Sequence, residues 1–312
     1  MELDVFFAGT AGSAPTPRRG LPALIVRRGG DRLLFDCGEG TQRQLVRSIG
    51  LPDLGDVFLT HFHLDHWLGL PGMLKTFDLR GREVPLTVHG PSGLGELMRL
   101  LRPVVGRVSY PLQVDELAPG DTIERDDYRV AAFAVEHRVP ALGYALFEEE
   151  RPGRFDAALA ERLGVRPGPD FGRLQRGEGV DGVSPEQVMG PGRPGRKVVV
   201  SGDTAPSAAL AVAAHDADLL VHEATFVEEE RDRAVQTAHA TAIQAAELAR
   251  DADVRMLALT HLSTRYGGRE IRDEARAVFP NTVVPRDFDT IEIPLPERGE
   301  PQLVRWEEQV AT

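Results

Sequence analysis

Thr60-His61-Phe62-His63-Leu64-Asp65-His66 gathers three imidazoles and a carboxylate into six residues, His61 to His66. The apolar run Val57-Phe58-Leu59 leads into it, so the motif begins where a short strand ends. His61 and His63 are two apart, and side chains two apart in extended backbone point the same way. Asp65 and His66 follow once the strand has ended, and can fan toward a second position. One loop thus offers a pair of ligands to each of two neighbouring metal ions. Imidazole and carboxylate donors without a thiolate fit Zn²⁺ and admit Mn²⁺ or iron.

Two metals need more ligands than one loop holds. His137 follows Val135, Asp203 follows Val200 and His261 follows Leu259, each just past an apolar run. Strand ends are where loop-borne catalytic groups collect in α/β architectures. Asp203 has two oxygens and could bridge ions about 3.5–4 Å apart, the spacing of two-metal hydrolases. Taken alone, His137 and His261 read equally as surface or core histidines, and Asp203 as a turn aspartate. Their weight comes from appearing together, in an order that one sheet could bring to one place.

The rest of the composition bounds the class. The chain has 312 residues, 42% hydrophobic and 27% charged, which suits a soluble globular protein with a sizeable core. Its first residues, MELDVFFAGTAGSA, lack the basic start of a signal peptide, and no apolar segment reaches membrane-spanning length. Cys37 is the only cysteine, which excludes an internal disulfide and suits a reducing cytoplasm. A formal net charge of −12 runs against nucleic-acid binding, which draws on Lys and Arg to neutralise phosphates. A local basic patch on an acidic body would still suffice. No Gly-rich phosphate fingerprint is present, so no nucleotide cofactor is expected.

Patterning predicts strands at 3–7, 23–26, 33–35, 57–59, 84–88, 129–135, 143–147, 197–200, 219–221, 256–259 and 290–293. Helices are expected at 94–101, 208–214, 241–250 and 271–279. Strand-to-helix alternation in both halves, without a short repeat, predicts an α/β sandwich with helices on its outer faces. Residues 151–196 differ: Gly and Pro are dense, and Arg151, Arg154, Arg162, Arg166, Arg173 and Arg176 concentrate positive charge. This segment reads as an arm projecting from one domain spanning 1–312, with a short helix at 156–163 and no packed core of its own.

His61-Phe62-His63-Leu64-Asp65-His66 resembles the HxHxDH motif of the metallo-β-lactamase superfamily. Further stretches are similar to the ribonuclease Z family within it: FFAGTAGSAPTP at 6–17, LLFDCGEGTQRQL at 33–45, GLPG at 69–72, SGDT at 201–204, HEATF at 222–226 and HLSTRY at 261–266. The resemblance implies an αββα sandwich that binds two Zn²⁺ per subunit, Mn²⁺ or other divalent ions being possible. It implies that His61, His63 and His137 hold one ion, Asp65, His66 and His261 the other, and Asp203 bridges them. It implies that Asp65 handles the proton of the attacking water, and that His239, oriented by Glu223, protonates the leaving oxygen. Arg265 and Tyr266 match the family's contacts to the tRNA end, and Arg173 and Arg176 lie in the segment matching its tRNA-binding arm. Pro167-Gly168-Pro169 and Phe171-Gly172 resemble the arm's Gly-Pro motif. Gln175 stands where the family usually has a lysine, and Ala240 where it usually has serine. The implied activity is removal of the 3′ trailer from precursor tRNA by a cytoplasmic homodimer, leaving a 3′-hydroxyl on the tRNA and a 5′-phosphate on the trailer.

Two other readings belong to different classes. A small-molecule phosphodiesterase or other ester hydrolase could use the same dinuclear centre, but would need no basic arm. A non-catalytic RNA-binding protein could retain the fold, but would have no reason to keep seven ligand-competent residues.

Overall fold

The computed structural model describes residues 1–307. One sheet is built from β1 (Leu3–Gly9), β2 (Ala23–Arg28), β3 (Asp31–Phe35), β4 (Asp56–Phe58), β5 (Leu86–Gly90), β6 (Leu112–Glu116), β14 (Thr290–Glu292) and β15 (Gln302–Val304). The other contains β7 (Thr122–Glu124), β8 (Tyr128–Ala134), β9 (Leu142–Glu148), β10 (Lys197–Val200), β11 (Leu219–Glu223), β12 (Leu257–Thr260) and β13 (Thr282–Val283). Their strand orders are β15-β14-β1-β2-β3-β4-β5-β6 and β13-β12-β11-β10-β9-β8-β7. Both sheets are mixed, with β3 to β6 parallel in the first and β10 to β13 parallel in the second.

The period-2 geometry of strands explains how one chain feeds three apolar layers. In β1, Val5 and Phe7 face the interior between the sheets, while Phe6 and Ala8 face outward under helices. In β10, Val198 and Val200 face inward and Val199 outward. Helices α1 (Thr41–Arg47), α2 (Leu64–Trp67), α3 (Leu70–Leu79) and α4 (Leu94–Val105) cover the first sheet through Leu45, Trp67, Met73, Phe77 and Leu94. The arm holds α5 (Ala157–Arg162), α6 (Pro169–Gln175) and α7 (Pro185–Val188). Beyond it come α8 (Ala208–Ala214), α9 (Arg231–Thr237), α10 (Ala242–Asp251) and α11 (Gly268–Val278). Of these, α8, α10 and α11 cover the second sheet. Ala242, Ala245, Ala246 and Ala249 form one stripe of α10, all fully buried, which lets the helix lie close on the sheet. Each large apolar side chain buried in these layers contributes about 1.5–3 kcal/mol.

The expected sandwich is present, with elements such as α1, α3, β6 and β7 beyond those expected and with two further local differences. The helix expected over 94–101 runs on to Val105 through Pro103, which gives up one i→i−4 hydrogen bond in the last turn, and Gly106 closes it at φ 76°. The arm, expected to lack a core, has one: Ala160, Val165, Leu174, Val180, Val183 and Val188 are buried together with Phe155, Leu159 and Phe171 against them. Gly and Pro here supply the turns that fold short apolar stretches onto each other; they punctuate packing rather than preventing it. Asp156 caps α5 by accepting from the Leu159 N–H, and Ser184 with Gln187 forms a capping box on α7.

Candidate metal centre

Five strand ends deliver the side chains of this site. The loop after β4 carries His61 and His63, and α2 follows at once with Asp65 and His66. His137 lies three residues beyond β8, and an isolated bridge between Glu136 and Ala205 holds its loop beside the Asp203 loop. Because β10, β11 and β12 run parallel, Asp203, Glu223 and His261 emerge side by side at their C-terminal ends.

The structure gathers all seven expected ligands. His61, His63, His137 and Asp203 form one group and Asp65, His66 and His261 another, the donor atoms within each lying within 4.8 Å of one another. Asp203 stands between the groups: its Oδ2 is 3.7 Å from His61 Nε2, 3.3 Å from His66 Nε2 and 3.3 Å from His261 Nε2. Asp65 Oδ2 lies 3.4 Å from His261 Nε2 and 3.6 Å from His66 Nε2. His61 Nε2 and His137 Nε2 approach His63 Nδ1 to 2.9 and 3.3 Å.

These residues fit a divalent cation. The Nε2 atoms of His66 and His261 are buried and have no hydrogen-bond partner among the described residues, a costly arrangement unless a positive ion accepts their lone pairs. The opposite ring nitrogens of four of the five candidate histidines are engaged. His66 Nδ1 donates to Asp36 Oδ2 at 2.7 Å, and His137 Nδ1 to the Ala238 carbonyl at 3.0 Å. His61 Nδ1 meets Thr60 Oγ1 at 3.0 Å, and His261 Nδ1 meets Thr225 Oγ1 at 2.8 Å. Since Thr225 gives its own proton to Glu223, its oxygen is left to accept from His261. A carboxylate, carbonyl or hydroxyl acceptor at Nδ1 fixes the tautomer whose Nε2 carries a free lone pair, the form a metal needs.

The backbone is bent to serve this arrangement. Asp36 and His261 have φ of 57° and 56°, the left-handed region that non-glycine residues rarely enter. A Cβ on Gly12 would sit 2.5 Å from His261 Nδ1, so only glycine lets this loop pass the ring. The next residue, Ser13, donates its N–H to Asp65 Oδ2 at 2.8 Å. Burial opposes charge on Asp65 and Asp203, yet the surrounding imidazoles outweigh it and hold both carboxylates ionised. Burial also drives the His61 pKa down, reinforced by His66, and keeps that ring neutral.

His239 sits between two helices: Thr237 closes α9, Ala238 takes a left-handed turn at φ 55°, and Thr241 caps α10. The turn places His239 Nδ1 2.8 Å from Glu223 Oε1. Glu223 is buried and also accepts from the Thr204 N–H at 2.7 Å. Burial works against a charged His239, but the Glu223 carboxylate prevails and raises its pKa to about 9. His239 also groups with Asp203 and His261 as a possible ligand, although its Nδ1 is taken by Glu223 and lies 4.0 Å from Asp203 Oδ2.

The expected RNA contacts divide. Arg265 lies over the rings of Phe226 and Tyr266 at 5.4 and 5.6 Å and pairs with Glu230. Tyr266 lines a groove of about 980 Å³ shared with Arg18, Arg19, Arg43, Arg47 and Arg286. Arg173 and Arg176 lie in the arm, where their charge partners are the arm's own Asp170 and Glu178. Sequence reasoning missed Asp36, Thr60 and Thr225 as supports of the ligands. Asp36 carried a signal, since it follows the apolar run Leu33-Leu34-Phe35; the two threonines carried none.

Residues 17–261 match the family model described as Metallo-beta-lactamase superfamily. The ribonuclease Z of Natronomonas pharaonis is 48% identical over 307 residues, covering 95% of this chain and all of the relative. That of Myxococcus xanthus is 48% identical over 302 residues, covering 94% and 98%. The crystal structure of human tRNase Z, short form, superposes with a TM-score of 0.69 at 28% identity, over 93% of this chain and 99% of that one. The metallo-β-lactamase fold protein YhfI from Bacillus subtilis also reaches 0.69 at 18% identity, over 94% and 100%, which speaks to fold alone. With a metal-fitting cluster at its strand ends and relatives this close along nearly its whole length, the chain belongs to the ribonuclease Z family of the metallo-β-lactamase superfamily.

Proposed function

We propose that this chain is an endoribonuclease that removes the 3′ trailer from precursor tRNA, leaving a 3′-hydroxyl on the tRNA and a 5′-phosphate on the trailer. The observation that carries this reading is the meeting of seven ligand-competent side chains with the His239–Glu223 pair. A basic groove lined by Arg18, Arg43 and Arg286 adds to it, sharing the loop that follows His261. Near-full-length identity of 48% to ribonuclease Z proteins supports the same substrate. A small-molecule hydrolase has no comparable support.

His61, His63 and His137 would hold one zinc ion, Asp65, His66 and His261 a second, with Asp203 shared. Such a pair, when bound, polarises a phosphoryl oxygen and lowers the pKa of a bound water. Asp65, held by the Ser13 N–H, takes the proton of the attacking water. His239 is kept protonated by Glu223 and gives its proton to the 3′ oxygen that departs with the tRNA. Arg265 and Tyr266 contact the RNA end, the guanidinium offering a planar fork to phosphate. The arm, with Arg173 and Arg176 exposed on it, engages the body of the tRNA as part of one domain. Working as a cytoplasmic homodimer completes the reading, and light scattering at twice the 34.1 kDa chain mass is the expected result for the dimer.

Cleavage of a 3′-extended precursor tRNA, run beside bis(p-nitrophenyl) phosphate with and without a chelator, tests the proposal. Chelator-sensitive cutting near the discriminator base is expected. Turnover of the small diester without RNA cleavage would overturn the substrate assignment while leaving the metal centre standing.

A further inference from the structure

The arm leaves the body between two strands that are themselves paired: Phe147 of β9 stands opposite Lys197 of β10. Its two chains continue as a narrow stalk, bridged at Arg151–Arg193 and again at Phe155–Met189. An isolated two-stranded ribbon is marginally stable at best, so a contact from outside the stalk would help to set where the arm points.

One carboxylate lies in position to do so. Glu297 sits in the short 3₁₀ turn Pro296–Arg298, which follows β14 and belongs to neither the arm nor its two root strands. Its Oε1 and Oε2 accept from Arg151 Nη1 at 2.7 Å and Nη2 at 3.0 Å, and Oε1 also accepts from Arg193 Nη1 at 2.8 Å. Arg151 belongs to the outgoing chain of the stalk and Arg193 to the returning one, so a single side chain grips both. Among the described residues, side-chain hydrogen bonds pass from 151–196 to the body at two levels: Arg196, at the foot of the returning chain, donates to Glu148 and to the Ile293 and Met1 carbonyls, and above that root the bonds all end on Glu297. The grip is half-buried rather than solvent-washed, with Arg151 and Glu297 side chains 21% and 24% exposed. Bidentate arginine–carboxylate geometry also fixes angle as well as distance.

We propose that Glu297 is a positioning residue for substrate binding: it fixes the direction of the arm, and so sets the affinity for an RNA held by the arm and the metal centre together. The proposal rests on the reading of the arm as the tRNA-engaging element. A substrate that touches both places binds best when their separation is fixed beforehand, because an arm free to swing loses that freedom on binding. A small diester touches the metal centre alone and is indifferent to the arm.

The test compares Glu297→Ala, Glu297→Gln, the pair Arg151→Ala with Arg193→Ala, and a chain whose residues 152–194 are replaced by a short Gly-Ser turn. Loss of the grip is expected to raise KM for precursor tRNA about three- to tenfold, with kcat for tRNA and turnover of bis(p-nitrophenyl) phosphate within about twofold. Combining Glu297→Ala with the two arginine changes should add nothing further, since all three act through one contact. A raised KM in the arm-less chain beside unchanged Glu297 variants overturns the proposal and spares the arm's role. An arm-less chain that cuts tRNA normally overturns the arm's role, and this proposal with it. Equal losses on tRNA and on the small diester overturn it as well, because Glu297 would then be supporting the fold.

Discussion

At His261 the backbone turns into the left-handed region, and the ring is pressed between Gly12 on one side and Thr225 on the other. Gly12→Ala would drive a methyl to 2.5 Å from Nδ1, so the ring must move or the loop must open. Metal affinity is expected to fall about 10- to 100-fold, the usual cost of disturbing a support behind a ligand. Competition with a chromogenic chelator would read it, and unchanged affinity would show that the loop yields freely. His239→Ala separates two roles for that residue. With its Nδ1 held by Glu223, His239 is expected to leave metal content intact while cleavage slows about 10²- to 10⁴-fold. Loss of one ion from the purified variant would instead place His239 among the ligands, beside Asp203 and His261.

Between elements, the root of the arm is locked by Glu148 at the end of β9. It accepts from Arg28 Nε at 2.8 Å and from Arg196 Nη2 and Nε at 2.7 Å each, and its side chain is only 6% exposed. Burial alone would raise the Glu148 pKa, but the arginines outweigh it and hold it below the usual glutamate value. A folded-state pKa below the unfolded one means stability that is complete above about pH 5 and lost as pH falls through the carboxylate range. Glu148→Gln is expected to cost about 3–5 kcal/mol at neutral pH, since it leaves two buried guanidinium groups short of a partner. It should also flatten the loss of stability between about pH 5 and pH 3 relative to the unaltered chain. Denaturant melts with chelator present throughout would measure both, and parallel pH curves would rule Glu148 out as the acid-sensitive group. The elements themselves were legible where period and length agreed, as in β10 and α8, whose limits coincide with the apolar pattern. Short or exposed pieces were not: β6 is exposed along most of its length, so no burial pattern marks it. The arm's core was hidden because its apolar residues stand singly between turns. The candidate ligands could be picked out because His61, His137, Asp203 and His261 lie just past apolar runs and His63, Asp65 and His66 follow His61 directly; Thr60 and Thr225 act through hydroxyl geometry that no spacing announces.

Across the molecule, a net charge of −12 surrounds a groove that carries Arg18, Arg19, Arg43, Arg47 and Arg286. RNA binding should therefore fall steeply with salt, and Arg265→Ala should weaken it while reducing the log–log salt slope by about 1. Filter binding between about 50 and 200 mM salt would show this; an unchanged slope would mean that Arg265 stays with Glu230 and meets no phosphate. The span of the ligand set reaches further. Its first member is residue 61 and its last residue 261, and they arise from both sheets. No fragment of the chain can assemble such a set, so the ion pocket comes into being only when the sheets dock. Ion uptake and folding are then one linked equilibrium. Free metal at about 100 times its dissociation constant would add about 2.7 kcal/mol to the folded state. The cell's supply of divalent ions thereby becomes a determinant of how long this protein survives, apart from any part those ions take in cutting RNA.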